Sequence, residues 1–303
     1  TDVFLKAAAE RAAGKPLVLL GHSHGGLIIL RRLLAGPLPV KVTGAIVTSP
    51  FSLFDTVRQT DAELIQFSQS FRLDRDMAEF LRRAVYAQDG LSYHSARIGR
   101  LKTGEPPDPY VAAVLSPEHP LIVVVHDERS SQLRNDFERR LTTPLIAALH
   151  AMGYDVDDGF GLVVPHRAQR ANLQEALRAA VAERAAPDEV ARAVDTVERF
   201  QGGERHAIVV SATESDPAYL LAAGKFLYDP RRLTVAISRA KDKMILVASR
   251  SVFALFSPDE AIFANAQIWK DLLSRTCTVP LWAGEIDQHQ VQVWGNPPLL
   301  LLE

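Results

Sequence analysis

The chain has 303 residues, with 34 Lys and Arg against 36 Asp and Glu, and is 47% hydrophobic. That balance excludes a disordered chain, a collagen-like repeat and a strongly basic nucleic-acid arm, so a polyanion site must be a local patch. The one cysteine, Cys277, excludes an internal disulfide and a thiolate zinc site, and no metal site is predicted.

Apolar strand-like runs alternate with helical patterns along the chain. Strands are predicted over 16–20, 43–48, 120–126, 161–165, 207–212 and 244–248. Helices are predicted over 26–34, 77–86, 132–152, 168–185, 230–240 and 258–274, the last capped by Ser257 with Pro258 in its first turn. This alternation predicts an α/β fold with a three-layer, largely parallel sheet. Gly104-Glu105-Pro106-Pro107-Asp108-Pro109 and Gly295-Asn296-Pro297-Pro298 read as loops. The tail over 279–303 reads as a small hairpin, with Trp282 and Trp294 as core residues. No apolar run approaches the roughly 20 residues that span a bilayer. No membrane partner is expected, and the lone cysteine fits a reducing, cytoplasmic setting. Thr1-Asp2-Val3 has neither a Met nor a basic leader, so the chain reads as starting inside a longer protein.

The strand over 16–20 runs into Gly21-His22-Ser23-His24-Gly25-Gly26 and then an apolar helical pattern. Glycines around a serine at a strand-to-helix turn lift the hydroxyl above the sheet, beside backbone N–H groups that stabilise an oxyanion. Residues 1–50 resemble a β-α-β fragment of the α/β-hydrolase superfamily. By that resemblance Ser23 is the nucleophile of an esterase, the alternative function. His94, His119, His126, His150, His166, His206 and His289 follow it, but none sits in a hydrolase-like histidine loop. The segment reads as a fragment without a complete triad.

Five further motifs follow in order. Gln69-Ser70-Phe71-Arg72 precedes the helix beginning near Met77. An apolar strand over 121–126 ends in Asp127-Glu128, with Asn135 and Glu138 opening the helix behind it. Val163-Val164-Pro165-His166-Arg167-Ala168-Gln169 closes another strand. Val194-Asp195-Thr196-Val197-Glu198-Arg199-Phe200-Gln201-Gly202-Gly203-Glu204 leads into the strand over 207–212. Asp229-Pro230-Arg231-Arg232-Leu233-Thr234-Val235-Ala236-Ile237-Ser238-Arg239-Ala240-Lys241 forms a basic helix. Asp127-Glu128 is not read as a Walker B pair. Ala13-Gly14-Lys15-Pro16 and Ala223-Gly224-Lys225-Phe226 lack the upstream Gly and the following Ser or Thr of a P-loop.

From about 52 to 278 these motifs resemble superfamily 1 helicases, in the branch of the RNA-decay helicase and the nuclease-helicase of replication. The resemblance implies a RecA-like second motor domain, a P-loop NTPase fold without its own P-loop. It implies that Arg72 and Arg239 are arginine fingers, reaching ATP across a cleft between two motor domains. It also implies that Gln201 and Gly202 lie by the phosphates and that Glu204 accepts a hydrogen bond from the ribose. Thr196 would contact the nucleic-acid backbone, and Pro165, His166 and Arg167 would lie near the strand. His166 replaces the usual aromatic, Glu198 the usual Asp and Thr234 the usual Asn.

The expected organisation is a hydrolase-like fragment over 1–50, a linker with helices over 51–119, the motor domain over 120–278 and a tail over 279–303. The implied cofactors are ATP and Mg²⁺. The implied partners are single-stranded DNA or RNA and a first RecA-like motor domain, without which this half is expected to be inactive.

Overall fold

A computed structural model describes residues 5–6, 9–10, 18–22, 44–48, 69–89, 92–104, 106, 108–156, 158–181, 186–197 and 203–298. Ser23, the helix expected over 26–34, Gln201 and Gly202 lie outside the described residues. The chain forms two compact units, Thr1–Gln66 and Phe67–Glu303.

In the first unit, β1 (Val18–His22) and β2 (Gly44–Thr48) pair in parallel, from Val18 opposite Gly44 to His22 opposite Thr48. A parallel pair needs a crossover between its strands, as the sequence expectation required.

The second unit opens with a short parallel pair, β3 (Gln69–Ser70) and β4 (His94–Ser95), which brackets α1 (Arg75–Ala84). Then come α2 (Pro109–Leu115), β5 (Leu121–His126), α3 (Asp136–Ala151), β6 (Phe160–Val164), α4 (Arg167–Val181), α5 (Pro187–Ala193), β7 (Val194–Thr196), β8 (Arg205–Ser211), α6 (Pro217–Leu227), α7 (Pro230–Arg239) and β9 (Ala240–Ser249). The chain ends with α8 (Arg250–Ala254), α9 (Glu260–Asp271), β10 (Val279–Ile286) and β11 (His289–Gly295). The sheet order is β10-β11-β5-β9-β8-β6-β7. Strands β5 to β9 are mutually parallel, and the β10–β11 hairpin adds antiparallel to β5.

Strand alternation divides the core. Leu121, Val123 and Val125 of β5 and Met244, Leu246 and Ala248 of β9 face one layer with α1, α6, α7 and α9. Ile122, Val124, Ile245 and Val247 face the other layer with α2, α3 and α4. Each fully buried Val, Leu, Ile or Met among them contributes about 1.5–3 kcal/mol.

The segments on either side of the central strands also join the core. Of the stretch over 51–119, expected as a linker with helices, the described part from 69 onward packs into the same core as the sheet. Leu73, Met77, Phe80 and Leu81 pack in one core layer, and Tyr110, Val111, Val114 and Leu115 in the other. The stretch over 279–295 forms the expected hairpin and joins the sheet, with β11 paired to β5 and β10 as the edge strand. There Trp294 packs half-buried against one layer and Trp282 against the other.

Helix starts follow side-chain caps. Asp108, Asp216 and Asp229 each cap a helix whose first residue is proline. The stretch read as a loop ending at Pro109 therefore launches α2. Helix α9 starts at Glu260 rather than Pro258. The Asp259 carboxylate accepts from the Ala261 and Ile262 N–H groups at 3.0 and 3.1 Å, while Ser257 Oγ accepts from Asp259 N.

One buried charge sits at the start of β9. Lys243 is fully buried and its Nζ donates to the His119 carbonyl. Burial pushes its pKa down from 10.5 to about 7, against the opposing influence of Cys277. The unfolded chain therefore binds the extra proton between these values, and stability must rise with pH across that window. Chemical denaturation of the native chain and Lys243→Met should differ in slope by up to about 1.4 kcal/mol per pH unit between pH 7 and 10. Equal slopes would contradict the burial of this ammonium.

Candidate functional site

The N-terminal ends of β8 and β9 lie side by side, with Arg205 opposite Ala240. Glu204 immediately precedes β8. Arg239 ends α7, and Lys241 follows in β9. Arg72 reaches this edge from the bend between β3 and α1. That bend is fastened at several points. Ser70 Oγ accepts from Leu73 N at 3.3 Å, and Ser95 Oγ donates to the Leu73 carbonyl at 2.7 Å. The buried Asp74 caps α1 and also accepts from Gly99 N at 2.8 Å and Arg100 at 3.1 Å.

Arg72 Nε lies 2.6 Å from Glu204 Oε1, and its Nη1 donates to the Ser238 carbonyl at 3.4 Å. Lys241 Nζ lies 3.7 Å from the other Glu204 oxygen. Arg239 Nε is buried without a hydrogen-bond partner among the described residues. Burial, and then the positive charge of Arg72, hold the Arg239 guanidinium below its ordinary pKa, while Glu204 opposes them. Arg72, Glu204 and Arg239, far apart in the chain, thus form one cluster. The neighbouring Phe71 is 81% exposed.

The second group lies at the opposite, C-terminal edge of the sheet. Pro165 and His166 follow β6, and Thr196 ends β7 beside Val164. His166 Nε2 is 2.7 Å from Glu214 Oε1. Burial raises the Glu214 pKa, and His166 works against that rise. The His166 ring stacks on Phe226 at 5.4 Å and 17°, and the Arg232 guanidinium lies 3.5 Å over the same ring. Arg167 is exposed at the start of α4. Arg170 and Asp195 pair at 3.0 Å, and Asp195 accepts from the Thr196 N–H at 2.7 Å.

Phe226 is the residue that motif reading missed. It lies in Ala223-Gly224-Lys225-Phe226, which drew notice only as a failed P-loop. Those residues are helical in α6, where a Cβ on Gly224 would stand 3.2 Å from the Tyr228 ring, and Lys225 pairs with Asp259 at 3.1 Å. No pattern in the sequence marks Phe226 as a stacking partner, because the contact crosses from α6 to the β6 loop.

A buried polar network supports this edge. Burial tends to raise the Glu128 pKa, but bonds from Ser130 and Ser215 hold it below the ordinary range. Its oxygens accept from Ser130 N and Oγ, from Ser215 Oγ at 2.6 Å and from Asn135 Nδ2 at 3.0 Å. Asn135 also caps α3 by accepting from Glu138 N at 2.8 Å, and donates to the Thr213 carbonyl at 3.1 Å. Gln169 clamps the Asn135 backbone, accepting from its N–H at 2.9 Å and donating to its carbonyl at 3.1 Å. Thr213 is held at φ +68°, a conformation that a residue with a Cβ seldom adopts. Its N–H donates to Glu138 at 3.0 Å.

The parallel sheet layered on both faces, taken with the similarities that follow, is the C-terminal RecA-like motor domain of a superfamily 1 helicase. Residues 50–251 match the family described as AAA domain (AAA_12), and the chain belongs to that family. It is 27% identical over 265 residues to the DNA replication ATP-dependent helicase/nuclease DNA2 of Mus musculus, covering 79% of this chain and 24% of that protein. It is 36% identical over 103 residues to the putative helicase MOV-10 of Gallus gallus, covering 31% of this chain and 10% of that one. It is 44% identical over 61 residues to the regulator of nonsense transcripts 1 of Caenorhabditis elegans, covering 20% and 5%. The chain thus spans about a quarter or less of these relatives. No helix of the described residues is long and apolar enough to cross a membrane.

Asn135→Ala removes one cap and two bonds to buried acceptors. It should lower unfolding free energy by roughly 2–4 kcal/mol. Urea denaturation checks this, and a loss within error would show that the network adds little to stability.

Proposed function

We propose that this chain is the C-terminal half of an ATP-dependent helicase motor, acting on single-stranded DNA or RNA and inactive without a first motor domain. The observation that carries this reading is the convergence of Arg72 and Arg239 with Glu204 at one strand edge. Guanidinium groups offer several N–H donors in a rigid fork and remain charged at neutral pH, which suits phosphoryl oxygens bearing the charge of a transition state.

In this reading Arg72 and Arg239 neutralise the γ-phosphoryl group of ATP held by the first domain. Gln201 and Gly202, assigned on their motif alone, flank the phosphates. The donor set at this edge is cationic and its carboxylate is engaged by Arg72. It fits phosphate and not a divalent ion, so Mg²⁺ is assigned to the first motor domain. At the other edge Pro165, His166, Arg167 and Thr196 form part of the nucleic-acid track. The stack of His166, Phe226 and Arg232 supports that assignment through its charge and flat aromatic surface.

The purified chain should bind a single-stranded oligonucleotide with an affinity that falls as salt rises. Arg167→Ala should weaken it by about threefold to tenfold at fixed low salt, by loss of one phosphate contact. With Mg²⁺, ATP and the same oligonucleotide, the chain should show no turnover above buffer. Nucleic-acid-stimulated hydrolysis by the chain alone, abolished by Arg239→Ala, would overturn the half-motor reading.

A further inference from the structure

The arginine edge contains its own anion. Three cations, Arg72, Arg239 and Lys241, are gathered at the ends of β8 and β9, and the carboxylate set against them is Glu204. One of its oxygens is 2.6 Å from Arg72 and the other 3.7 Å from Lys241. Arg239 Nε, buried beside them, has no acceptor among the described residues. Like charges this close repel unless an anion stands between them, and a buried guanidinium N–H without an acceptor can take one from an arriving anion. The Arg72–Glu204 pair remains reachable, with side chains 40% and 34% exposed.

We propose that Glu204 is a stand-in for phosphate: it holds Arg72 in position until a polyphosphate takes the guanidinium, and Lys241 then receives the released carboxylate. The inference rests on reading Arg72 and Arg239 as phosphate ligands. It assigns Glu204 and Lys241 as positioning residues. A phosphate carries more charge than a carboxylate and more acceptor oxygens, so it wins the guanidinium fork when it arrives. The cost of exchange is small because Glu204 already faces a second cation. In this scheme Glu204 can accept from a ribose hydroxyl only after Arg72 has left it, so phosphate engagement comes before ribose engagement.

The experiment is calorimetric titration of the purified chain with inorganic tripolyphosphate, which has no ribose and no base. Glu204→Gln removes the competing charge and should tighten binding about fivefold to tenfold. Glu204→Asp, with a shorter reach toward Arg72, should fall between the two, and thermal melts confirm that each variant is folded. Lys241→Gln should weaken binding several-fold when Glu204 is present and have little effect in the Glu204→Gln background. That sign of non-additivity is what a receiver for the carboxylate produces. Arg239→Gln should weaken binding in every background.

If Glu204→Gln leaves affinity unchanged or lowers it while Arg239→Gln still weakens it, the stand-in role is overturned and the phosphate reading survives. If Lys241→Gln weakens binding equally in both backgrounds, Lys241 is a direct phosphate ligand and its receiver role is overturned. If the native chain and Glu204→Gln both fail to bind tripolyphosphate, the phosphate reading and the stand-in fall together.

Discussion

Strands β5, β6, β8 and β9 bury apolar side chains on both faces along most of their length, and helices cover both. A polar side chain in the middle of such a strand would lose its water and gain no partner. Polar chemistry can therefore gather only where strands end. The Arg72–Glu204–Arg239 cluster occupies the edge where β8 and β9 begin. The His166–Glu214 pair occupies the edge where β6 and β8 finish. Lys243 marks how sharp the boundary is: it lies two residues beyond Lys241, and burial already drives its pKa down to about 7.

The same constraint decided what could be read in the sequence. A strand buried on both faces is a short continuous apolar run, and all four predicted after residue 119 occur, with shifts at their ends. Helix ends were harder, because a cap is a choice among neighbouring polar residues. Ser257, Asp259 and Pro258 are all plausible signals, and only packing shows that the Asp259 carboxylate takes the two free N–H groups. The arginine cluster was legible in part. Motif order picked out Arg72, Glu204 and Arg239, but the pairing of Arg72 with Glu204 depends on a bend tied down by Ser95 and Asp74. Phe226 was illegible, since its contacts with His166 and Arg232 join three separate elements. Gln169 was noticed as part of a motif, yet its place is structural: it holds the backbone of the residue that caps α3.

The two edges are joined by one helix. Arg232 lies in the first turn of α7 and stacks on Phe226, which in turn stacks on His166. Arg239 lies at the other end of α7, beside Arg72. Ten helical residues span about 15 Å. Leu233, Ala236 and Ile237 bury one face of α7 in a core layer, so a displacement of the helix body would carry both Arg232 and Arg239. Rigid elements of this kind carry an energetic link between distant sites when each end has two arrangements to choose between. In the exchange proposed above, the arrangements at the Arg239 end are an Arg72 held by Glu204 and an Arg72 held by phosphate. At the Arg232 end the structure shows the guanidinium closed over the Phe226 ring.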